Sequence, residues 1–234
     1  MQIEPINRHF GADISGVDLD TITDAVFDEV YRAWLDYGVL RFRNQRLDED
    51  GLQRFSSRFG PLEEIPIGRL TEEQKVKLAK IIKNPYVTNI SNISEDGMPI
   101  GGLGNAEANW HSDMTYTELP PPASVLLSVE IPPSGGDTWF ADQYAAYDAL
   151  PEDLKARVEV LGVNHDAAHT SVGGMRPGYE PFDDPRDAPG VVHPMVKEHA
   201  ETGRRCLYLG RREWAYIPGL ELADSEALLD EVWS

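Results

Sequence analysis

The sequence predicts a mostly β domain with helices at its flanks, a β-sandwich or jelly roll, and three observations carry that prediction. Its 234 residues suit one all-β domain. From residue 86 onward, β-branched and aromatic runs are cut repeatedly by Pro and Gly. Helical stripes flank this middle without the regular strand-helix alternation of a parallel sheet.

In order, the first helix spans 24–37, where Val26, Phe27, Val30, Trp34 and Leu35 share one stripe and Gly38 supplies the stop. A strand follows at 39–43. A second helix opens after Asp48, with Leu52, Phe55 and Phe59 on one face and Gly60-Pro61 at its end. Thr71 to Gln74 has capping-box spacing ahead of Val76, Leu78 and Ile81, which predicts a third, more polar surface helix. Strands are then expected at 86–93, 110–116, 123–131 and 138–141, two short helices around 143–160, and strands again at 162–166, 191–196 and 205–209. A last helix opens near Asp224 with the stripe Leu228, Leu229, Val232 and Trp233, and no Gly, Asn or basic residue closes it. Two Gly- and Pro-bearing segments, 94–109 and 169–190, read as loops of the kind from which ligand lids are drawn.

Composition narrows the function. Twenty-one Lys and Arg stand against 40 Asp and Glu, a formal charge of −19. Nucleic-acid affinity depends on basic side chains that release counterions, and an anionic membrane surface would be repelled in the same way. No stretch reaches the apolar length of a membrane span, and the N-terminus lacks a basic segment followed by an apolar run. The single cysteine, Cys206, forms no internal disulfide and fits a half-buried structural thiol in a reducing compartment. A cytoplasmic protein is the expectation, and a homo-oligomer is left open.

Chemistry is sought first among the six histidines. The pattern His-x-Asp/Glu occurs at His111-Ser112-Asp113 and at His199-Ala200-Glu201. The first falls in a predicted strand, where residues two apart project from one face, so imidazole and carboxylate would converge. One histidine and one carboxylate are two corners of the facial triad of non-haem iron(II) oxygenases. The second pattern runs into a turn. His165 and His169 are four apart but lack the Glu that zinc peptidases place directly after the first histidine, and His193 before Pro194 reads as a packing residue. No Gly-x-Ser-x-Gly supports a serine hydrolase. Pro133 to Thr138 forms a tight Gly-Gly loop entering a strand, where a threonine hydroxyl can bond a carboxylate.

Trp110-His111-Ser112-Asp113, Glu118 to Ala123, Pro133-Ser134-Gly135-Gly136-Asp137-Thr138 and Ala145 to Pro151 closely resemble the taurine dioxygenase and dichlorophenoxyacetate dioxygenase family. The likeness continues upstream through Gly11 to Leu19, Arg41 to Gln45 and Phe59 to Leu62. Downstream it runs through His193 to Val196 and Thr202 to Arg205. The resemblance implies a double-stranded β-helix and an iron(II)- and 2-oxoglutarate-dependent enzyme that consumes dioxygen. It makes His111 and Asp113 iron ligands and Thr138 a contact of 2-oxoglutarate. It also places a third ligand, a histidine, and an arginine that clamps 2-oxoglutarate beyond Ser234. The expectation is therefore one oxygenase domain over 1–234, incomplete at its C-terminal end, with final strands missing and the 234-residue chain alone inactive.

Taurine users in this family carry a histidine after the Phe-Gly-Pro motif and an asparagine four residues before the first ligand. Here 62–70 has no histidine and position 107 is Glu. Ile90 to Gly97 and Pro218-Gly219-Leu220 are more similar to the aryloxyalkanoate-cleaving branch. The implied substrate is a small organic acid with an apolar body, walled by Met114 and Tyr116 and anchored by Arg69. Alternatives are a taurine, alkylsulfonate or sulfate-ester dioxygenase, a non-catalytic binding module, and a two-ligand hydrolytic metal site.

Overall fold

The computed structural model describes residues 1–8, 10–65, 71–95, 98–99 and 101–234. Near the N-terminus β1 (Gln2–Pro5) pairs antiparallel with β2 (Ala12–Ser15), which pairs parallel with β3 (Leu40–Phe42). The expected first helix is α1 (Asp24–Tyr37), capped by the Thr23 side chain and ended at Gly38. Asp48 caps α2 (Glu49–Ser56), and a 3₁₀ turn carries the chain to Phe59. The stripes of these helices meet: Leu19, Phe27, Val30 and Phe55 are buried together, and the rings of Phe27 and Phe59 stand 5.1 Å apart edge to face. The third helix is α3 (Glu72–Ile81).

The expected loop 94–109 carries short strands. Parallel β4 (Ile90–Ser91) and β7 (Gly102–Leu103) pair with each other, as do antiparallel β5 (Ser94–Glu95) and β6 (Met98–Pro99). Of the strand expected at 86–93, only Ile90–Ser91 is one.

Three expected strands are corrected by the structure. Residues 110–116 form a turn, with Met114 at φ 52° and the Thr117 amide donating to the Met114 carbonyl at 3.0 Å. Ser112 and Asp113 are turn formers, and their local preference prevails over the aromatic residues around them. Residues 123–131 and 138–141 have no ladder partner among the described residues, although burial alternates from 123 to 128 as it would on a half-covered strand. Pleat is present there, pairing is not.

Beyond 142 the sequence reading holds closely. Helices α4 (Gln143–Ala149) and α5 (Glu152–Val158) precede β8 (Gly162–Asp166), which pairs antiparallel with β9 (Gly190–Pro194). A short hairpin joins β10 (Val196–Glu198) to β11 (Arg205–Leu207). Helix α6 (Leu222–Trp233) opens two residues earlier than the pattern suggests. Its stripe joins the main core: Leu228, Leu229 and Val232 pack with Val158, Val163, Met195 and Ile217. That core anchors β8 through Val163, and so fixes the strand that carries His165.

Candidate active site

The turn at 110–116 brings His111 and Asp113 together, by a different route from the strand that the spacing suggested. The Nε2 atom of His111 lies 3.2 Å from Oδ1 of Asp113. The other ring nitrogen, Nδ1, is 2.7 Å from the backbone carbonyl of Asn109. A carbonyl only accepts, so Nδ1 carries the hydrogen and Nε2 faces the carboxylate either protonated or with a bare lone pair. As imidazolium it pairs with Asp113, which holds the His111 pKa above its ordinary value, while the same bond holds the Asp113 carboxyl below its own. As neutral imidazole it presents a lone pair beside an anionic oxygen, an arrangement that calls for a cation between them.

A metal answers that demand. Adjacent donors, each about 2.1 Å from an octahedral metal, stand about 3 Å apart, and the His111–Asp113 separation matches. Outer bonds hold both side chains in place. Asn109 fixes the imidazole tautomer, and the Ser124 hydroxyl donates to Asp113 Oδ2 at 2.7 Å. Both side chains keep some solvent exposure, which leaves an entry path. No third His, Cys, Asp or Glu joins the pair as a metal group among the described residues.

His111, Asp113, Met114 and Tyr116 line one cavity of about 100 Å³. Its remaining wall was not foreseen. His165 comes from β8, Arg176 from the loop 169–190, and Arg211 from the run after β11. His165 is 3% exposed, with neither ring nitrogen in a well-formed hydrogen bond. Burial pushes its pKa down to about 3, with the Tyr208 backbone pulling only weakly the other way. Gly210 is needed beside it, because a Cβ there would collide with the imidazole. Arg211 donates to Asp166 Oδ2 at 3.0 Å and to the Thr170 carbonyl, tying loop to strand. The amide of Asn109 donates to the Ser171 carbonyl at 2.8 Å, so the same loop also holds the His111 support.

The other candidates fall elsewhere. Thr138 is exposed in the extended run before α4, away from the cavity lining. Arg69 lies outside the described residues. His169 is committed to Asp166 at 2.9 Å and stacked on Trp214, His193 donates to the Thr117 carbonyl at 2.9 Å, and the His199 ring accepts from the Glu201 amide at 3.4 Å. Cys206 is half-buried in β11, and burial raises its thiol pKa. Asn109, Ser124, Arg176 and Arg211 were missed, and His165 was weighed only as a zinc partner of His169. Only Asn109 and Ser124 left a sequence signal, as polar residues near the ligand pair.

Residues 2–234 match the family described as taurine catabolism dioxygenase TauD, TfdA family. The chain belongs to that family. An (S)-phenoxypropionate/alpha-ketoglutarate-dioxygenase of Sphingobium herbicidovorans is 36% identical over 98% of this chain and 77% of the relative. An alpha-ketoglutarate-dependent 2,4-dichlorophenoxyacetate dioxygenase of Cupriavidus pinatubonensis is 34% identical over 97% of this chain and 79% of the relative. A crystal structure of a taurine dioxygenase from Burkholderia xenovorans superposes with a TM-score of 0.70 at 29% identity, covering 99% of this chain and 71% of that one. This TauD/TfdA-family chain is therefore an alpha-ketoglutarate-dependent dioxygenase, an oxidoreductase, and its structural neighbours have the jelly-roll fold that the sequence predicts. No helix among the described residues is long and apolar enough to cross a membrane.

Proposed function

We propose that this enzyme hydroxylates a small organic acid of the aryloxyalkanoate class, using iron(II) held by His111 and Asp113, with 2-oxoglutarate and dioxygen as co-substrates. The observation that carries the metal assignment is the 3.2 Å approach of His111 Nε2 to Asp113 Oδ1, each ligand fixed from behind by Asn109 or Ser124. When bound, iron(II) would let dioxygen serve as the oxidant, with 2-oxoglutarate giving succinate and carbon dioxide as one oxygen atom passes to succinate and the other to the substrate. The chain's own residues do the rest. The Asn109 carbonyl keeps the His111 Nδ1 proton away from the metal-facing nitrogen. Ser124 keeps one carboxylate oxygen turned outward. Met114 and Tyr116 offer an apolar wall to the body of the acid, and the loop 169–190 screens the cavity from water. By resemblance Thr138 contacts 2-oxoglutarate, and residues 1–234 belong to one oxygenase domain.

Two of the named relatives, the phenoxypropionate dioxygenase and the dichlorophenoxyacetate dioxygenase, act on aryloxy acids, which supports this substrate class. A sulfate-ester dioxygenase of Pseudomonas putida, 30% identical over 97% of this chain, supports the sulfur-oxyanion alternative. Glu107 weighs against taurine, because it is exposed and anionic where taurine users carry an asparagine.

The test uses the protein expressed from its full reading frame. Iron(II) should bind under anaerobic calorimetry, and His111→Ala or Asp113→Ala should abolish both binding and succinate formation. Asp113→Glu should fail as well, because one extra methylene moves the carboxylate beyond the ~0.2 Å that a metal site tolerates. Unchanged metal binding in either alanine variant would remove the assignment. In a panel of aryloxy acids against taurine, a tenfold preference for taurine, ~1.4 kcal/mol of transition-state binding, would overturn the substrate class.

A further inference from the structure

We infer that Arg176 and Tyr116 form a carboxylate anchor on the wall of the cavity that holds His111 and Asp113, an assignment that rests on the oxygenase reading above.

Arg176 is fixed from three sides. Its amide donates to the Ala168 carbonyl at 2.7 Å and its Nε to the His169 carbonyl at 3.1 Å. Its guanidinium lies over the Tyr116 ring, 4.2 Å from the centroid, with Nη1 donating to the phenolic oxygen at 2.5 Å. Two donors are left over. Nη2 makes no bond to any described residue, and Tyr116, having accepted from Arg176, has its own phenolic hydrogen still to give. Both side chains line the cavity, so both donors can be turned to one carboxylate there.

Charge accounting points the same way. Arg211, the cavity's other cation, is neutralised by the buried Asp166. Arg176 has no ion-pair partner among the described residues, in a chain of net charge −19. Its field reaches Asp113, where it favours the carboxylate. Once a metal takes the Asp113 charge, Arg176 keeps no carboxylate of the described residues as its counterion. Partial burial, with the Tyr116 face on one side, raises the worth of an anion placed there. The anion can be the carboxylate of the organic acid or the distal carboxylate of 2-oxoglutarate. To a guanidinium these are the same group.

The experiment loads the full-reading-frame protein with manganese(II), which prevents turnover, and titrates phenoxyacetate, neutral phenoxyacetamide and 2-oxoglutarate by calorimetry. Wild type should bind phenoxyacetate more tightly than the amide. Arg176→Gln should weaken one of the two acids by roughly thirtyfold while leaving phenoxyacetamide within about twofold, the scale of a lost charge-assisted bond. Tyr116→Phe should weaken the same acid by about fivefold. Arg176→Lys should restore only part of the loss, since an ammonium lacks the planar fork. Selective loss of phenoxyacetate assigns the anchor to the primary substrate, and selective loss of 2-oxoglutarate assigns it to the co-substrate. Equal losses for acid and amide, unchanged affinity for both acids, or a wild type that binds neither acid overturns the anchor. Manganese(II) binding separates the two readings. If Arg176→Gln binds the metal normally and keeps both acids, only the anchor fails. If wild type binds no metal, the oxygenase reading fails and the anchor with it.

Discussion

Ser124 determines how freely the Asp113 carboxylate can turn, because its hydroxyl donates at 2.7 Å to the oxygen that does not face His111. Ser124→Ala should therefore weaken metal binding by about 10- to 100-fold without changing the ligand set. Calorimetric titration checks this, and an unchanged affinity would show that the bond does not orient the ligand. His165 supports a prediction about stability. In an unfolded chain its imidazole takes a proton near pH 6.5, whereas burial holds the folded value at about 3. Between those limits the unfolded state binds more protons, so stability is complete above the unfolded value and falls as pH drops through the window. At pH 5 the loss from this group is about 2 kcal/mol. Urea unfolding at pH 7 and pH 5 should show that His165→Gln loses less stability on acidification than wild type, by about that amount. A parallel decline in both proteins would remove His165 as the cause.

Among the elements, α1 was the most legible because each of its signals is local. Thr23 accepts from the Val26 amide at 3.4 Å, and Gly38 at φ 71° donates back to the Trp34 carbonyl at 2.8 Å. The two ends are unequal. The Thr23 bond is long and exposed, so Thr23→Ala should cost about 0.5 kcal/mol, the low end for an N-cap. Gly38 takes a conformation that L side chains resist, and a Cβ there would stand 3.0 Å from the Phe10 ring. Gly38→Ala should cost more than about 1 kcal/mol. Urea midpoints for the two variants should rank in that order, and the reverse would mean that α1 is held at its start. Residues 110–116 were misassigned for the opposite reason. Trp110, Thr115 and Tyr116 have strand preference, yet Ser112 and Asp113 between them favour a turn, and sequence alone does not say which tendency wins.

For the molecule as a whole, legibility followed the distance over which each signal acts. The meeting of His111 and Asp113 needs residues two apart, and spacing was enough to expect it even with the wrong element. The cavity wall needs His165, Arg176 and Arg211, brought to Met114 and Tyr116 from 49 or more positions away by β8, by the loop after it and by the run that follows β11. No local pattern marks a residue whose role comes from such a meeting. The same separation of scales governs how an anionic substrate reaches the site. At long range it meets a body of charge −19, and at short range Arg176. The Debye length shrinks from about 30 Å at 0.01 M salt to about 8 Å at 0.15 M, so added salt removes the distant repulsion and spares most of the contact attraction. KM for an aryloxy acid should then fall by about two- to threefold over that range, the reverse of ordinary salt dependence for an attractive ion pair. A neutral amide of the same shape should bind with unchanged affinity. If the acid's KM instead rises with salt, local cations dominate its approach, and the net charge of the chain has no part in substrate capture.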